Sequence, residues 1–214
     1  MLRYIVVSTG HRIAVFSTIL LWASSLVQAQ SVSYGLCFGA PLNHLATADS
    51  GRVADTGRYT FGPALRLSLP HGFGFDLNLL YKQLKFGFDS NPDRITIHRL
   101  ELTPLLRYVF SASRVRMFMH AGMSFNRVID VSGADVCTDA AATVYCMEGK
   151  AVAQLRHSHT HGFVWGTGID FRRGALRLAP EFRITRWVDR NFGTGDSPLR
   201  SNLTQIELLL GLTF

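Results

Sequence analysis

From about residue 32 onward, apolar and polar side chains alternate with a period of two. The final segment is the plainest case. Ile206, Leu208, Leu210, Leu212 and Phe214 fall on one face, and Gln205, Glu207, Leu209, Gly211 and Thr213 on the other. Alternation of this kind marks a β-strand whose two faces meet different surroundings. Eight such segments are expected, at 32–40, 59–69, 73–82, 99–110, 115–126, 162–172, 176–184 and 205–214. Each is close to the roughly 9–11 residues with which a tilted strand crosses the hydrocarbon layer of a membrane.

Sorting the two faces separates the charges completely. The apolar face carries Tyr34, Leu36, Phe38, Leu77, Leu106, Met119, Trp165 and Phe182 among others, and no charged residue in any of the eight segments. The opposite face carries thirteen: Arg66, Asp76, Lys82, Arg99, Glu101, Arg107, Arg116, Asp170, Arg172, Arg177, Glu181, Arg183 and Glu207. A lipid-facing charge at mid-depth costs about 2–4 kcal/mol, so a membrane barrel excludes charge from its outer face. A soluble sheet with one wet face shows the same alternation, and three further features decide between them. Connections alternate between tight (Pro70 to Gly72, Ser111 to Arg114, Arg173 to Ala175) and long (41–58, 83–98, 127–161, 185–204). Short and long links then lie on opposite rims, as in outer-membrane barrels. Aromatic residues gather at the segment ends of the apolar face. Tyr59, Tyr81, Phe125 and Phe163 lie towards the long links, and Phe73, Phe110, Phe171 and Phe214 towards the tight ones. They form two girdles of the kind found at membrane–water interfaces. Finally, the charged face is rich in glycine (Gly35, Gly39, Gly62, Gly74, Gly122, Gly162, Gly166, Gly168 and Gly211). Small residues there are expected to leave room for long Arg and Glu side chains in a narrow lumen.

Composition agrees with this picture. Charged residues make up 17% of the chain, below the roughly 25% of ordinary soluble domains. Residues 1–29 read as a signal peptide, with Arg3 and Arg12 in a basic region and an apolar run from Ile13 to Ala23. Val27-Gln28-Ala29 offers a cleavage site before Gln30. The apolar run is shorter than the roughly 20 residues of a membrane-spanning helix. The expected domains are therefore 1–29 and a barrel over 30–214. Without Arg3 and Arg12 the net charge falls from +7 to +5. The basic residues are scattered singly, so no nucleic-acid partner is expected, and anionic lipopolysaccharide is the more natural counterpart. Cys137 and Cys146 lie close together in one polar segment, which suits a loop disulfide in an oxidising compartment. Cys37 is left as a buried free thiol.

Taken together, the chain resembles the small eight-stranded outer-membrane barrels of OmpA/OmpX architecture, and more narrowly the bacterial outer membrane protein β-barrel domain family. The resemblance rests on Gly-Pro-Ala-Leu-Arg-Leu at 62–67, Leu-Glu-Leu-Thr-Pro-Leu-Leu-Arg-Tyr at 100–108, and the closing strand to Phe214. It implies an all-β, closed, eight-stranded antiparallel transmembrane barrel with short periplasmic turns and four long extracellular loops. It also implies partners in outer-membrane lipid, periplasmic chaperones and the barrel-assembly machinery. The signal for that machinery is similar to the alternation Ile206, Leu208, Leu210, Leu212, Phe214.

The chemistry expected of such a chain is limited. The inward residues Arg66, Asp76, Glu101, Arg107, Arg116, Asp170, Arg177, Glu181, Arg183 and Glu207 are expected to form a salt-bridged filling, because buried charges must be paired. A narrow pore for ions or small solutes is the alternative. His157, His159 and His161 alternate and share a face, but no acid or thiol lies near them in sequence, and no metal or other cofactor is expected. Ser158 has a histidine on each side, yet adjacent strand residues point to opposite faces. No catalytic site is expected, and a lipid A-modifying enzyme is the remaining alternative. The long loops are expected to carry the working surface, towards an extracellular partner not identifiable from sequence. Pro63, Pro104 and Pro180 lie mid-segment on the apolar face. Each removes a ladder hydrogen bond, and local bulges are expected there.

Overall fold

The structure is a computed structural model. It describes residues 31–43, 46–48, 53–55, 59–88, 91–110, 115–133, 135–139, 142–147, 150–192 and 199–214. The expected signal peptide at 1–29 and the turn Ser111 to Arg114 lie outside them. Eight antiparallel strands form the wall: β1 (Ser31–Pro41), β2 (Tyr59–Ser68), β3 (Phe73–Phe88), β4 (Asn91–Phe110), β5 (Val115–Ser132), β6 (His159–Arg173), β7 (Leu176–Trp187) and β8 (Thr204–Thr213). Each pairs with its neighbours in sequence, and β1 pairs with β8 from Gly35↔Thr213 to Pro41↔Glu207. That last ladder closes the sheet on itself. Among the described residues, the single helical feature is one 3-10 turn, Pro70–Gly72, in the tight link from β2 to β3. His71 and Gly72 there have φ of 62° and 81°.

The face assignment holds throughout the membrane belt. Tyr34, Leu106, Met119, Phe163 and Leu208 are exposed on the outside, and so are the girdle residues Tyr59, Phe125, Phe73 and Phe110. Tyr59, Phe61 and Tyr81 pack ring against ring in the upper girdle, and Phe73, Tyr108 and Phe110 in the lower. Ten of the thirteen inward charges are buried; Arg116 and Arg177 are half-buried, and Arg172 is exposed at the short-turn rim.

The long links are far more ordered than the sequence reading allowed. β3 and β4 run on as one hairpin to Phe88 and Asn91, well past the expected strand ends at 82 and 99. The longest link folds as a three-stranded antiparallel sheet of Asp135–Asp139, Ala142–Met147 and Lys150–Leu155. The reason is a reversal of polarity. Above the upper girdle the outside of the wall meets water, so polar residues such as Gln83, His98 and Arg127 point outward, while Leu84, Ile97 and Val128 are buried inside. A pattern sought with apolar residues outward ends where the lipid ends, although the strand continues.

The prolines cause no bulge. The β2–β3 ladder passes from Phe61↔Tyr81 to Ala64↔Asn78, the β4–β5 ladder from Leu102↔Phe125 to Leu105↔Gly122, and the β6–β7 ladder from Gly168↔Glu181 to Phe171↔Leu178. Each gap skips two residues on both strands, so register is kept. One residue's N–H and C=O point to the same neighbouring strand, so the loss is confined to one side. On the other side Pro63, Pro104 and Pro180 pair in register with Leu36, Leu77 and Leu210. Inward glycines stand at these gaps. A Cβ on Gly62 would lie 1.9 Å from the carbonyl oxygen of Leu79, on Gly122 2.2 Å from that of Pro104, and on Gly168 2.5 Å from that of Pro180. At Gly62 and Gly122 the close neighbour is backbone and not a charged side chain, and at Gly168 the space is shared with the Phe118 ring, 2.4 Å away. Gly166 does face an interior side chain, since a Cβ there would lie 2.3 Å from His120 Nε2.

The belt assignment gives a direct test. Leu106 is exposed on β4 between Tyr108 of the lower girdle and Leu100, which stands opposite Tyr81 of the upper one. Leu106→Arg is expected to lower membrane assembly sharply, at a cost of about 2–4 kcal/mol, and Leu106→Met to leave it unchanged. Quantifying the heat-modifiable folded band in membrane extracts of the two variants checks this.

Candidate functional site: the charged interior

A barrel of eight strands has a bore just wide enough for side chains to fill. Here inward parity along each strand delivers charged groups from different strands to common levels. In the half nearer the short turns, Arg66 on β2 and Arg107 on β4 converge on Asp76 of β3. The distances are 2.9 Å from Arg66 Nε to Asp76 Oδ1 and 3.1 Å from Arg107 Nη1 to Asp76 Oδ2. Both also reach Asp170 on β6, at 3.6 and 3.3 Å. Behind them Phe118 of β5 is fully buried, with the Arg107 guanidinium carbon 3.4 Å above its ring centre. That is a desolvated cation–π contact.

At mid-bore Glu181 and Arg183 of β7 pair with each other, and His120 of β5 lies 3.7 Å from Glu181. Nearer the long links, Lys82 of β3 bridges two carboxylates, Glu101 of β4 at 2.7 Å and Glu207 of β8 at 2.8 Å. Thr103 donates to Glu101, and Thr60 to Glu207. A neutral layer follows. Asn126 donates its amide to Asn191 Oδ1 at 3.0 Å, Asn191 donates its own to the His157 carbonyl at 2.9 Å, and Trp187 Nε1 donates to Gln205. Trp187 and Phe192 are both buried at this end.

Eight of the ten expected interior residues thus enter ion pairs: Arg66, Asp76, Arg107 and Asp170 together, Glu101 and Glu207 through Lys82, and Glu181 with Arg183. Arg116 and Arg177 stand apart, half-buried at the short-turn mouth. The reading of the sequence left out the bridging role of Lys82, His120, and the Asn126–Thr160–Asn191 cluster. Lys82 and His120 have inward parity and were open to detection. Asn191 follows β7 in the long link, and no strand pattern marks it.

The remaining candidates are dispersed. His159 and His161 are exposed on the outer face of β6, whereas His157 precedes the strand. Among the described residues no group of three or more His, Cys, Asp or Glu is placed to hold a metal. Ser158 is exposed in the bend before β6, and its carbonyl accepts from the Val128 N–H. Cys37 is buried and free. In the sheet of the long link, Cys137 pairs with Val144 and Cys146 with Asp135, which puts the two cysteines at diagonal positions on neighbouring strands. Leu208, Leu210 and Phe214 of the closing strand are exposed outward, with Ile206 and Leu212 half-buried beside them.

No protein-family model matches the chain, and no curated protein matches it in sequence. Among solved structures it is similar to the outer membrane protein OprG from Pseudomonas aeruginosa. The TM-score is 0.48 at 12% identity, covering 85% of this chain and 91% of that one. It is also similar to Neisserial surface protein A, with a TM-score of 0.44 at 14% identity, covering 85% and 94%. At this distance the likeness is one of architecture. The membrane assignment stands on the wall itself. A closed barrel leaves no unpaired edge in lipid, and this one has an uncharged apolar belt between two aromatic girdles around a charged interior.

Lys82 is the most informative residue to change, because its loss strands two buried carboxylates. Breaking a buried pair from one side costs about 3–5 kcal/mol. Lys82→Met is expected to destabilise the folded barrel by that amount. Lys85→Met, on the outer wall above the upper girdle, is expected to change stability by less than about 0.5 kcal/mol. Denaturant unfolding of both variants in detergent micelles measures the difference.

Proposed function

We propose that this outer-membrane barrel is a non-conducting, non-catalytic scaffold that acts through the surface built by its long links. One observation carries the reading: buried ion pairs between strands cross-link the wall at two levels, with the Glu181–Arg183 pair of β7 between them, so paired charges occupy the bore. Charged side chains held in buried pairs are poor ligands for a permeating ion, since each ion would have to displace a partner at a cost of several kcal/mol. The scaffold presents the sheet of residues 135–155 beyond the membrane belt, and binding to an extracellular partner or support of the envelope is the role it suits.

Lipopolysaccharide is the proposed lipid partner. Arg127, His159 and His161 are exposed on the outside, with Arg127 opposite His159 and Phe125 of the upper girdle opposite His161. Arg186 is exposed opposite girdle residue Phe163. Cations just above a girdle stand at the level of lipid phosphates. The alternation ending in Phe214 is the proposed recognition element for the assembly machinery. A Cys137–Cys146 disulfide is proposed for the long link. Diagonal positions lie about 7–8 Å apart, at the upper limit for a bridge, so closing it draws the two strands together locally.

The purified protein is expected to give no discrete conductance steps in planar bilayers at moderate voltage. Stable channels that persist in independently refolded preparations would replace the scaffold reading with a narrow pore. Peptide mapping of unreduced protein is expected to join Cys137 to Cys146 and to recover Cys37 as a free thiol. A peptide containing Cys37 bridged to either of the others would contradict the face assignment of β1.

A further inference from the structure

Arg116 and Arg177, set aside by the ion-pair network, point to a site of their own. At the short-turn mouth a cavity of about 240 Å³ opens among Arg66, Arg107, Arg116, Asp170 and Arg177, rimmed by Ser68 and Gly72. Two of its four guanidiniums are committed: Arg66 and Arg107 share Asp76 and Asp170. Arg116 and Arg177 make no ion pair within 4 Å among the described residues. The register sets Arg116 opposite Asp170 and Arg177 opposite Arg172, so a further cation stands beside the cluster. Four guanidiniums around the cavity thus face two carboxylates, an excess of two positive charges.

The walls retain free hydrogen-bonding capacity as well. Arg66 Nη1 has no hydrogen-bond partner, and its side chain is only 9% exposed. Its ion-pair contact with Asp170 is 3.6 Å, too long for a hydrogen bond. Arg107 Nε is also without a partner. The inner end of the cavity is backed by Arg107 stacked on the fully buried Phe118, so the space is a recess and not the start of a channel.

We infer that this recess is a binding site for a doubly charged oxyanion of the phosphate class, held by Arg66, Arg116 and Arg177. Guanidinium presents paired N–H donors that match the oxygens of such an anion. An excess of two positive charges in a partly desolvated recess is neutralised by one dianion. The recess opens along the barrel axis, inside the ring of strand ends, whereas lipid headgroups surround the wall from outside. The ligand is therefore a water-soluble anion from the compartment facing the short turns. The inference is independent of the role proposed for the long links.

Titration calorimetry with inorganic phosphate tests it, on protein folded in a zwitterionic detergent and in a chloride-free buffer. Saturable binding with one site per barrel is expected. Arg116→Gln/Arg177→Gln is expected to weaken it at least tenfold while keeping the heat-modifiable folded band. Arg186→Gln, outside the barrel at the other rim, is expected to bind phosphate as the parent does. Absence of saturable binding, equal affinity in the double variant, or loss of affinity in Arg186→Gln each overturns the site. A second arm places the protein in phosphatidylcholine nanodiscs with and without phosphatidic acid. Retained phosphate binding in pure phosphatidylcholine supports the soluble anion. Binding detected solely with phosphatidic acid assigns the chemistry to a lipid headgroup and overturns the aqueous recess.

Discussion

The structure depends first on the ladder between β1 and β8. In hydrocarbon an unpaired backbone N–H or C=O costs several kcal/mol, so a sheet crosses a membrane only when it has no edges. The seven pairs from Gly35↔Thr213 to Pro41↔Glu207 remove the last two. Closure has a consequence for the interior. Eight strands enclose too little space for water at full density and too much for bare backbone, so side chains must fill it. Because the outer face is required to be apolar, the filling inherits the polar half of the alternation. Charged residues are thus driven inside by the lipid, and pairing them becomes a condition for the fold.

Several of the interior charges are shared between two partners. Asp76 accepts from two arginines, Asp170 lies within reach of the same two, and Lys82 serves two glutamates. These contacts tie β2, β3, β4, β6 and β8 across the bore, where the backbone ladders tie only adjacent strands. The wall and its filling are therefore coupled. Three prolines can each open a two-residue gap in one ladder without shifting its register, because the opposite ladder continues and nearby glycines let the backbones close in. The same coupling makes the unpaired arginines at the short-turn mouth conspicuous: in an interior that otherwise balances its charges, that end does not.

Much of this architecture was legible in the sequence because lipid imposes a one-sided rule. A period of two with no charge on one face fixes which side of each strand meets the membrane. Alternating link lengths give the rims, and aromatic residues at segment ends give the depth. The rule lapses where the lipid ends. Beyond the upper girdle Leu84, Ile97 and Val128 turn inward and Gln83, His98 and Arg127 outward, so strand continued where the pattern suggested loop. The prolines are opaque in sequence for a related reason. Glycines that stand at their gaps lie on another strand, Gly122 against the Pro104 carbonyl and Gly168 against that of Pro180.

The sequence by itself therefore determined the wall: strand count, facing, girdles and the inward set of charges, since each follows from the solvent that a given side chain must meet. The tertiary structure alone decided the pairing inside. Asp76 and Asp170 are 94 positions apart in the sequence, and whether both meet Arg107 depends on strand register and on the level at which each side chain enters the bore. Alternation supplies direction but not height, and only the closed barrel converts direction into contact.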